Sequence, residues 1–205
     1  MDAAPLKERA EQILESARAL FGERGYDGVS VRDIADEAGV KKAAVFYYFE
    51  GKEDLLQRVL ERYYAAHRDA LAVAFQAKGP LRARLHGTID AYLGFMADNN
   101  AYARLVQGLI AQGPAWHGHL QRNLEPLLRW TEEALADVAP EDGPLAARHF
   151  FLTLSGAVIN TFTYGPVLAP MWGSDPTSAE GLEERRAHLH FVTDALMDRL
   201  ERRES

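Results

Sequence analysis

The charged residues between Ala38 and Lys52 are Lys41, Lys42, Glu50 and Lys52, a net positive window in a chain of formal charge −7. Ammonium groups this close, interleaved with Phe46, Tyr47, Tyr48 and Phe49, suit one kind of chemistry. They can contact phosphate oxygens and the edges or sugar walls of nucleic-acid bases without covalent change. The first 55 residues together hold eight Lys and Arg against twelve Asp and Glu, so the placement of charge matters here and its total does not. A lysine run on a solvated helix face has the same composition. The surrounding elements must decide.

Other chemistries lack their residues. The chain contains no cysteine, which removes disulfides, thiolate zinc sites and cysteine nucleophiles. None of its seven histidines follows a glutamate by three residues, the pairing a di-metal helical bundle needs. His117/His119 and His188/His190 stand two apart and point to different sides of a helix. All seven read as surface or core-edge residues. There is no Gly-rich phosphate loop, nucleophile elbow or HExxH run, so neither a metal, a cofactor nor an enzyme activity is expected. No stretch approaches the ~20 apolar residues of a membrane span. The N-terminal segment MDAAPLKERAEQILESA mixes acids with bases and lacks the apolar core of a signal peptide. A cytoplasmic protein with no membrane partner is expected.

Helical periodicity dominates the elements that position the basic window, and Pro and Gly cut the chain into about nine helical pieces. The first covers about residues 6–24, with Ile13, Ala17, Leu20 and Phe21 as its apolar stripe. Ser30 opens a second helix, and Asp33 completes a capping box. Gly39 ends it in a left-handed position. A third, short helix, KKAAVFYYF, starts near Lys41 and stops at Glu50-Gly51. Two short helices joined by a tight Gly turn, with small Ala35 and Ala38 at the crossing, form a helix-turn-helix. Val45 and Phe49 should pack inward. Lys41, Lys42, Ala43 and Ala44 leave the outer face thin enough for a major groove, and an alanine methyl can touch a thymine methyl. A long fourth helix over 52–76 leads into helices over 81–98, 101–112, 116–138, 144–164 and 178–202. Pro144 suits a first helical position, Thr177 and Glu180 suit a capping box, and residues 165–176 read as a loop.

The stretch ILESARALFGERGYDGVSVRDIADEAGVKKAAVFYYFEGKEDLLQRVL, from Ile13 to Leu60, resembles the DNA-binding domain of TetR-family transcriptional regulators. The resemblance rests on ALFGERGYDGVSVRDIADEAGV, then YYF, then GKEDLL, in that order and spacing. It implies an all-α fold: an N-terminal three-helix helix-turn-helix domain over 1–55, joined by the long helix to a helical ligand-binding and dimerisation domain over 56–205. It implies that Ser30 and Lys52 hold phosphates, that Arg32 meets a phosphate or a base edge, and that Lys41, Lys42, Ala43 and Ala44 face bases or enter the groove. Tyr47 would touch a thymine methyl or the sugar-phosphate wall, and Tyr48 a phosphate. Phe46 stands where the family commonly has tyrosine, and Ala43 and Ala44 where it commonly has glycine, serine or threonine. Specificity would then fall more on Lys42 and Arg32. Arg32 could instead pair with Asp36 at i+4, and Tyr47 and Tyr48 could be packing residues.

The family also implies a homodimer that reads a palindromic double-stranded operator, with recognition helices ~34–36 Å or a multiple apart, and release by a small-molecule effector. Repression is the family's expectation. The helix over 144–164 is apolar on more than one side, as a helix buried on two fronts should be. Phe150, Leu154 and Val158, with Leu189, Val192 and Leu196 of the last helix, are the expected dimer interface. Tyr92, Phe95, Met96, Tyr102, Trp116, Leu120, Trp130, Phe151, Asn160 and Tyr164 are the candidate pocket residues, and their weighting suggests an apolar or aromatic ligand. The acidic balance leaves one rival, a helical interaction bundle whose helix-turn-helix does not touch DNA.

Overall fold

The computed structural model describes residues 3–202, with side chains from residue 6 onward. Among the described residues there are nine α-helices and no strand: α1 Ala3–Arg24, α2 Val31–Glu37, α3 Lys42–Tyr48, α4 Lys52–Phe75, α5 Leu81–Asp98, α6 Asn100–Ala111, α7 His117–Leu135, α8 Ala147–Trp172 and α9 Ala179–Glu201. A single 3-10 turn, Pro114–Trp116, precedes α7. The chain divides into two compact units. One comprises Met1–Ala65 with Arg104–Leu120, and the other Ala66–Ala103 with Gln121–Ser205. The expected split at residue 55 therefore differs from the observed division in one respect above all. Most of α6 and the turn after it pack with the N-terminal helices, not with their neighbours in sequence.

The N-terminal unit is built as its periodicity demands. Ile13, Ala17, Leu20 and Phe21 of α1 close over Ile34 and Ala35 of α2, Val45 of α3, and Leu55, Leu56, Val59 and Leu60 of α4, all nearly inaccessible. Ala35 and Ala38 are buried at the α2–α3 crossing, where any larger side chain would separate the helices. Gly39 takes φ +63°, and the Val40 amide reaches back to the Ala35 carbonyl at 2.9 Å. This left-handed closure satisfies the end of α2 and sets the entry angle of α3.

In the C-terminal unit α5 packs on α8 and α9. Leu85, Leu135, Phe150, Met197 and Leu200 form one core cluster, flanked by Leu196 and Val138. Three local expectations change. Residues 165–172 continue α8 rather than forming a loop, with Pro166 and Pro170 inside the helix. The residue before a proline resists helical backbone through its Cβ, and Gly165, before Pro166, has none. α8 stops at Gly173, at φ +72°. It starts at Ala147, leaving Pro144 in the preceding turn. The cap of α9 is Ser178, whose hydroxyl accepts from the Gly181 amide at 3.1 Å, while Thr177 is held by Asp175. Continuation through the prolines also makes α8 long and apolar enough to cross a membrane by length and composition, contrary to expectation, with only 22% of its apolar window buried inside the chain.

Candidate nucleic-acid interface

The surface around α3 follows from which side of a seven-residue helix the core consumes. Val45 and Phe49 face inward and are buried. Lys41, Lys42, Ala43, Phe46 and Tyr47 are exposed, and Ala44 and Tyr48 are half-buried. Tyr47 is 70% exposed and meets Tyr48 edge to face at 4.9 Å. The ring of Tyr47 therefore stands out as a probe while Tyr48 braces it. The Lys42 ammonium lies 5.7 Å from the Phe46 ring, at the outer limit of a cation–π contact. The outer face is thus two lysines, two alanines and two aromatics, thin near its start and broad near its end.

α2 supplies the second rank. Ser30 accepts from the Asp33 amide at 3.1 Å, and the Asp33 carboxylate accepts from the Ser30 amide at 2.7 Å and hydroxyl at 2.6 Å. Those hydrogen bonds from Ser30 hold the Asp33 carboxyl below its usual range. The capping box fixes the start of α2, as expected, and engages the same hydroxyl that the family resemblance offers to phosphate. Arg32 lies 3.6 Å from Asp36, with both side chains more than 70% exposed. Such a pair is screened and weak, so the guanidinium is free to exchange it for a phosphate or a base.

Lys52, at the start of α4, is placed differently from a free phosphate ligand. Its ammonium donates to the Tyr26 carbonyl at 3.0 Å and lies 4.0 Å above the Tyr26 ring. It ties α4 to the α1–α2 turn. Trp116 packs edge-on against Tyr26 at 5.1 Å, and Gln112 donates to the neighbouring Asp27 at 2.8 Å. The position of Tyr26, Asp27, Gln112 and Trp116 as one cluster is not visible in sequence, because 85 residues separate Asp27 from Gln112. Lys52→Met is expected to lower stability by about 1–2 kcal/mol, the worth of a charged hydrogen bond with a cation–π contact. Chemical denaturation without DNA measures this; a lysine serving phosphate alone would leave the unfolding midpoint where it was.

The expected pocket residues separate into groups. Tyr92 and Phe95 flank the buried ring of His67, at 4.6 and 4.8 Å between centroids. Met96, Tyr102 and Leu120 are buried, and Trp130 packs against Phe75 at 5.4 Å. Phe151 is half-buried. Trp116 serves the Tyr26 contact just described. Asn160 and Tyr164 are exposed and line an open groove of about 560 Å³ between α8 and α9, with Trp172, Arg185 and His188. They point outward because α8 buries its Val158–Thr161–Phe162–Gly165 side instead. The residues expected at a dimer interface differ in exposure within this chain. Phe150, Val158 and Leu189 are consumed by the chain's own core, and Leu154, Val192 and Leu196 are half-buried. The uncovered apolar face is one register over: Leu152, Tyr164, Val167, Met171 and Trp172 of α8 with Phe191 of α9. The periodicity of α8 could not reveal this, because both of its sides are apolar.

Residues 13–59 match the family described as bacterial regulatory proteins, tetR family. The chain is 30% identical to the HTH-type transcriptional activator FasR of Mycolicibacterium smegmatis over 50% of this chain and 47% of that one. It is 32% identical to the HTH-type transcriptional repressor KstR2 of Mycobacterium tuberculosis over 51% of each. The matched region thus spans about half the length of these curated relatives. In structure, the chain resembles the transcriptional regulator FadR of Bacillus subtilis, solved in complex with stearoyl-CoA. The TM-score is 0.68 at 18% identity, over 93% of this chain and 96% of that one. These relatives are regulators, not enzymes, and the likeness to FadR extends the shared fold beyond the helix-turn-helix.

Proposed function

We propose that this chain, a TetR-family regulator, binds a palindromic operator as a homodimer, blocks transcription there, and releases the DNA when a small apolar ligand enters its C-terminal unit. The observation that carries the DNA reading is the thin, lysine-edged outer face of α3, held by a Gly39 turn against α2. Lys41, Lys42, Ala43 and Ala44 enter the major groove, Arg32 and Tyr47 reach its walls, and Tyr48 and Ser30 meet phosphates. Lys52 acts first by fixing the turn that carries Tyr26.

The uncovered face of α8 and α9 supports the dimer, with a second copy of this chain as its occupant. Large apolar side chains standing more than half exposed on α8 and α9 support an association surface, and a two-fold axis lets one surface serve both copies. Ligand release would travel through covalent continuity. α6 begins in the C-terminal unit, and most of it, with the turn after it, belongs to the N-terminal one, where Gln112 and Trp116 grip the Tyr26–Asp27 turn. A ligand that prefers one setting of α6 shifts DNA affinity by no more than its own differential affinity for the two settings. Long-chain acyl thioesters are the first class to screen, because the structural relative FadR holds one.

Selection of bound duplexes from a random library, with full-length protein, tests this reading. The expected product is a palindrome with half-sites one helical turn or a multiple apart, bound with a steep inverse dependence on salt. Flat salt dependence, or no sequence enriched, would favour the interaction-bundle rival. Val167→Glu with Met171→Glu should shift the sedimenting species from dimer to monomer and weaken operator binding at least tenfold. A dimer that survives both substitutions would remove this face from the interface.

A further inference from the structure

α5 and α9 carry the same pattern, Arg-x3-His-x3-Asp: Arg82, His86 and Asp90 on one, and Arg186, His190 and Asp194 on the other. A spacing of four puts each triplet on one helix face. The triplets meet in reverse order. Arg82 Nη1 is 3.1 Å from Asp194 Oδ1, and Arg186 Nε is 3.3 Å from Asp90 Oδ1. Between these ion pairs His86 and His190 lie ring on ring, with centroids 4.0 Å apart and planes 3° from parallel. Each imidazole also reaches an aspartate of the other helix. His86 Nε2 is 2.9 Å from Asp194 Oδ1, and His190 Nε2 is 2.8 Å from Asp90 Oδ1. The rungs therefore form a ladder with near two-fold symmetry, and both rings are only about a quarter exposed.

We propose that the stacked His86–His190 pair is a proton-operated latch between α5 and α9. With both rings neutral, two flat aromatic faces stack, and the His190 ring can donate through Nε2–H to Asp90 at 2.8 Å, while His86 Nε2 stands near Asp194 without the geometry of a hydrogen bond. One added proton is tolerated, because each ring has an aspartate of the other helix within 2.9 Å, but Asp90 and Asp194 already share their charge with Arg186 and Arg82. A second proton sets two like charges face to face across a stacking distance, with an arginine at either end of the ladder. Moving the helices apart relieves that repulsion.

The groups facing the pair are limited. α5 contributes Arg82 and Asp90. α9 contributes Arg186 and Asp194, with Glu183, Asp198 and Glu201 held on the two arginines. Against the upward push of burial, the Arg82 guanidinium and His86 hold the Asp194 carboxyl below its usual range. α8 also packs on α5; its charged or titratable groups are Arg148, held by Asp142 and the Glu141 carbonyl, the exposed His149 beside it, and the exposed Tyr164 phenol. From α4, the Ala74 methyl meets Gly87. The residue after His190, Phe191, stands on the outer apolar face, so motion of α9 moves that face as well. The latch itself is independent of the regulatory proposal and is tested without DNA.

The test follows the ring Cε1–Hε1 NMR signals and the thermal midpoint of the full chain from pH 8 to pH 5, beside His86→Gln and His190→Gln. His149→Gln, an exposed position on α8, is the control. In the native chain the two ring signals should move in two shared steps, as coupled groups do. Each single variant should leave the remaining ring with one step. The midpoint should fall several degrees further on acidification in the native chain and the control than in either latch variant. A single common step in the native chain overturns the proposal, and so does an acid dependence identical in all four proteins. Should a glutamine variant fail to fold, the native titration decides alone.

Discussion

Lys42→Glu is expected to weaken operator binding about 100-fold while leaving the protein fully folded. The two halves of that expectation have separate causes. A side-chain contact to a base edge contributes about 1–3 kcal/mol of discrimination, and reversing the charge adds repulsion from the phosphates on either side of the groove. About 2.7 kcal/mol corresponds to a hundredfold change in affinity. Folding has little to lose, since Lys42 is exposed and its ammonium meets only the edge of the Phe46 contact range. An acid in the first turn of a helix suits the helix dipole, so the thermal midpoint should hold or rise slightly. Lys42→Ala should be milder and should relax discrimination among operator variants more than it lowers affinity for all of them. Titration of labelled operator duplexes at fixed salt, beside thermal melts, checks both halves. A Lys42→Glu protein that binds normally would remove α3 from the groove.

What was legible in the sequence was local, and what was not legible depended on the far side of a contact. The capping box of Ser30 and Asp33, the Gly39 turn and the inward Val45 and Phe49 are all set within a few residues. Pattern and propensity therefore place them correctly. The register of α8 is different. Its Phe150 and Val158 side and its Leu152, Tyr164 and Val167 side are equally apolar, so periodicity cannot say which the chain keeps for itself. Pro166 and Pro170 read as breakers because they usually are, and the helix passes the first where Gly165 has no Cβ to clash. Lys52 illustrates the third kind of gap. Its type and position fit a phosphate, but the Tyr26 carbonyl that holds it comes from another turn of the chain. The Arg-His-Asp triplets were present in the sequence all along; without the α5–α9 pairing, nothing in either one marked it as half of a ladder.

Of the seven histidines expected at the surface or core edge, His67 departs from that expectation as a buried side chain. It is 3% exposed and stacks on Phe95 within 10° of parallel, with Tyr92 against it at 4.6 Å. A signal was available, since His67 continues the buried stripe of Tyr63 and Tyr64 by one helical turn. Burial, with a smaller contribution from Arg68, lowers its pKa from 6.5 to about 4. The folded state therefore prefers the neutral ring. Its contribution to stability is complete above the unfolded value and is lost as pH falls from there towards about 4. The gap between the two values is worth about 3 kcal/mol when fully expressed. His67→Phe keeps the aromatic packing and removes the titration. Urea unfolding at pH 7, 5.5 and 4.5 should show the native chain losing stability relative to the variant, with about 2 kcal/mol of the difference gone by pH 5. Parallel pH profiles would mean that the ring is protonated inside the fold. In that case the wall it shares with Tyr92 and Phe95 would be charged, and the apolar ligand proposed for this unit would have to yield to an anionic one.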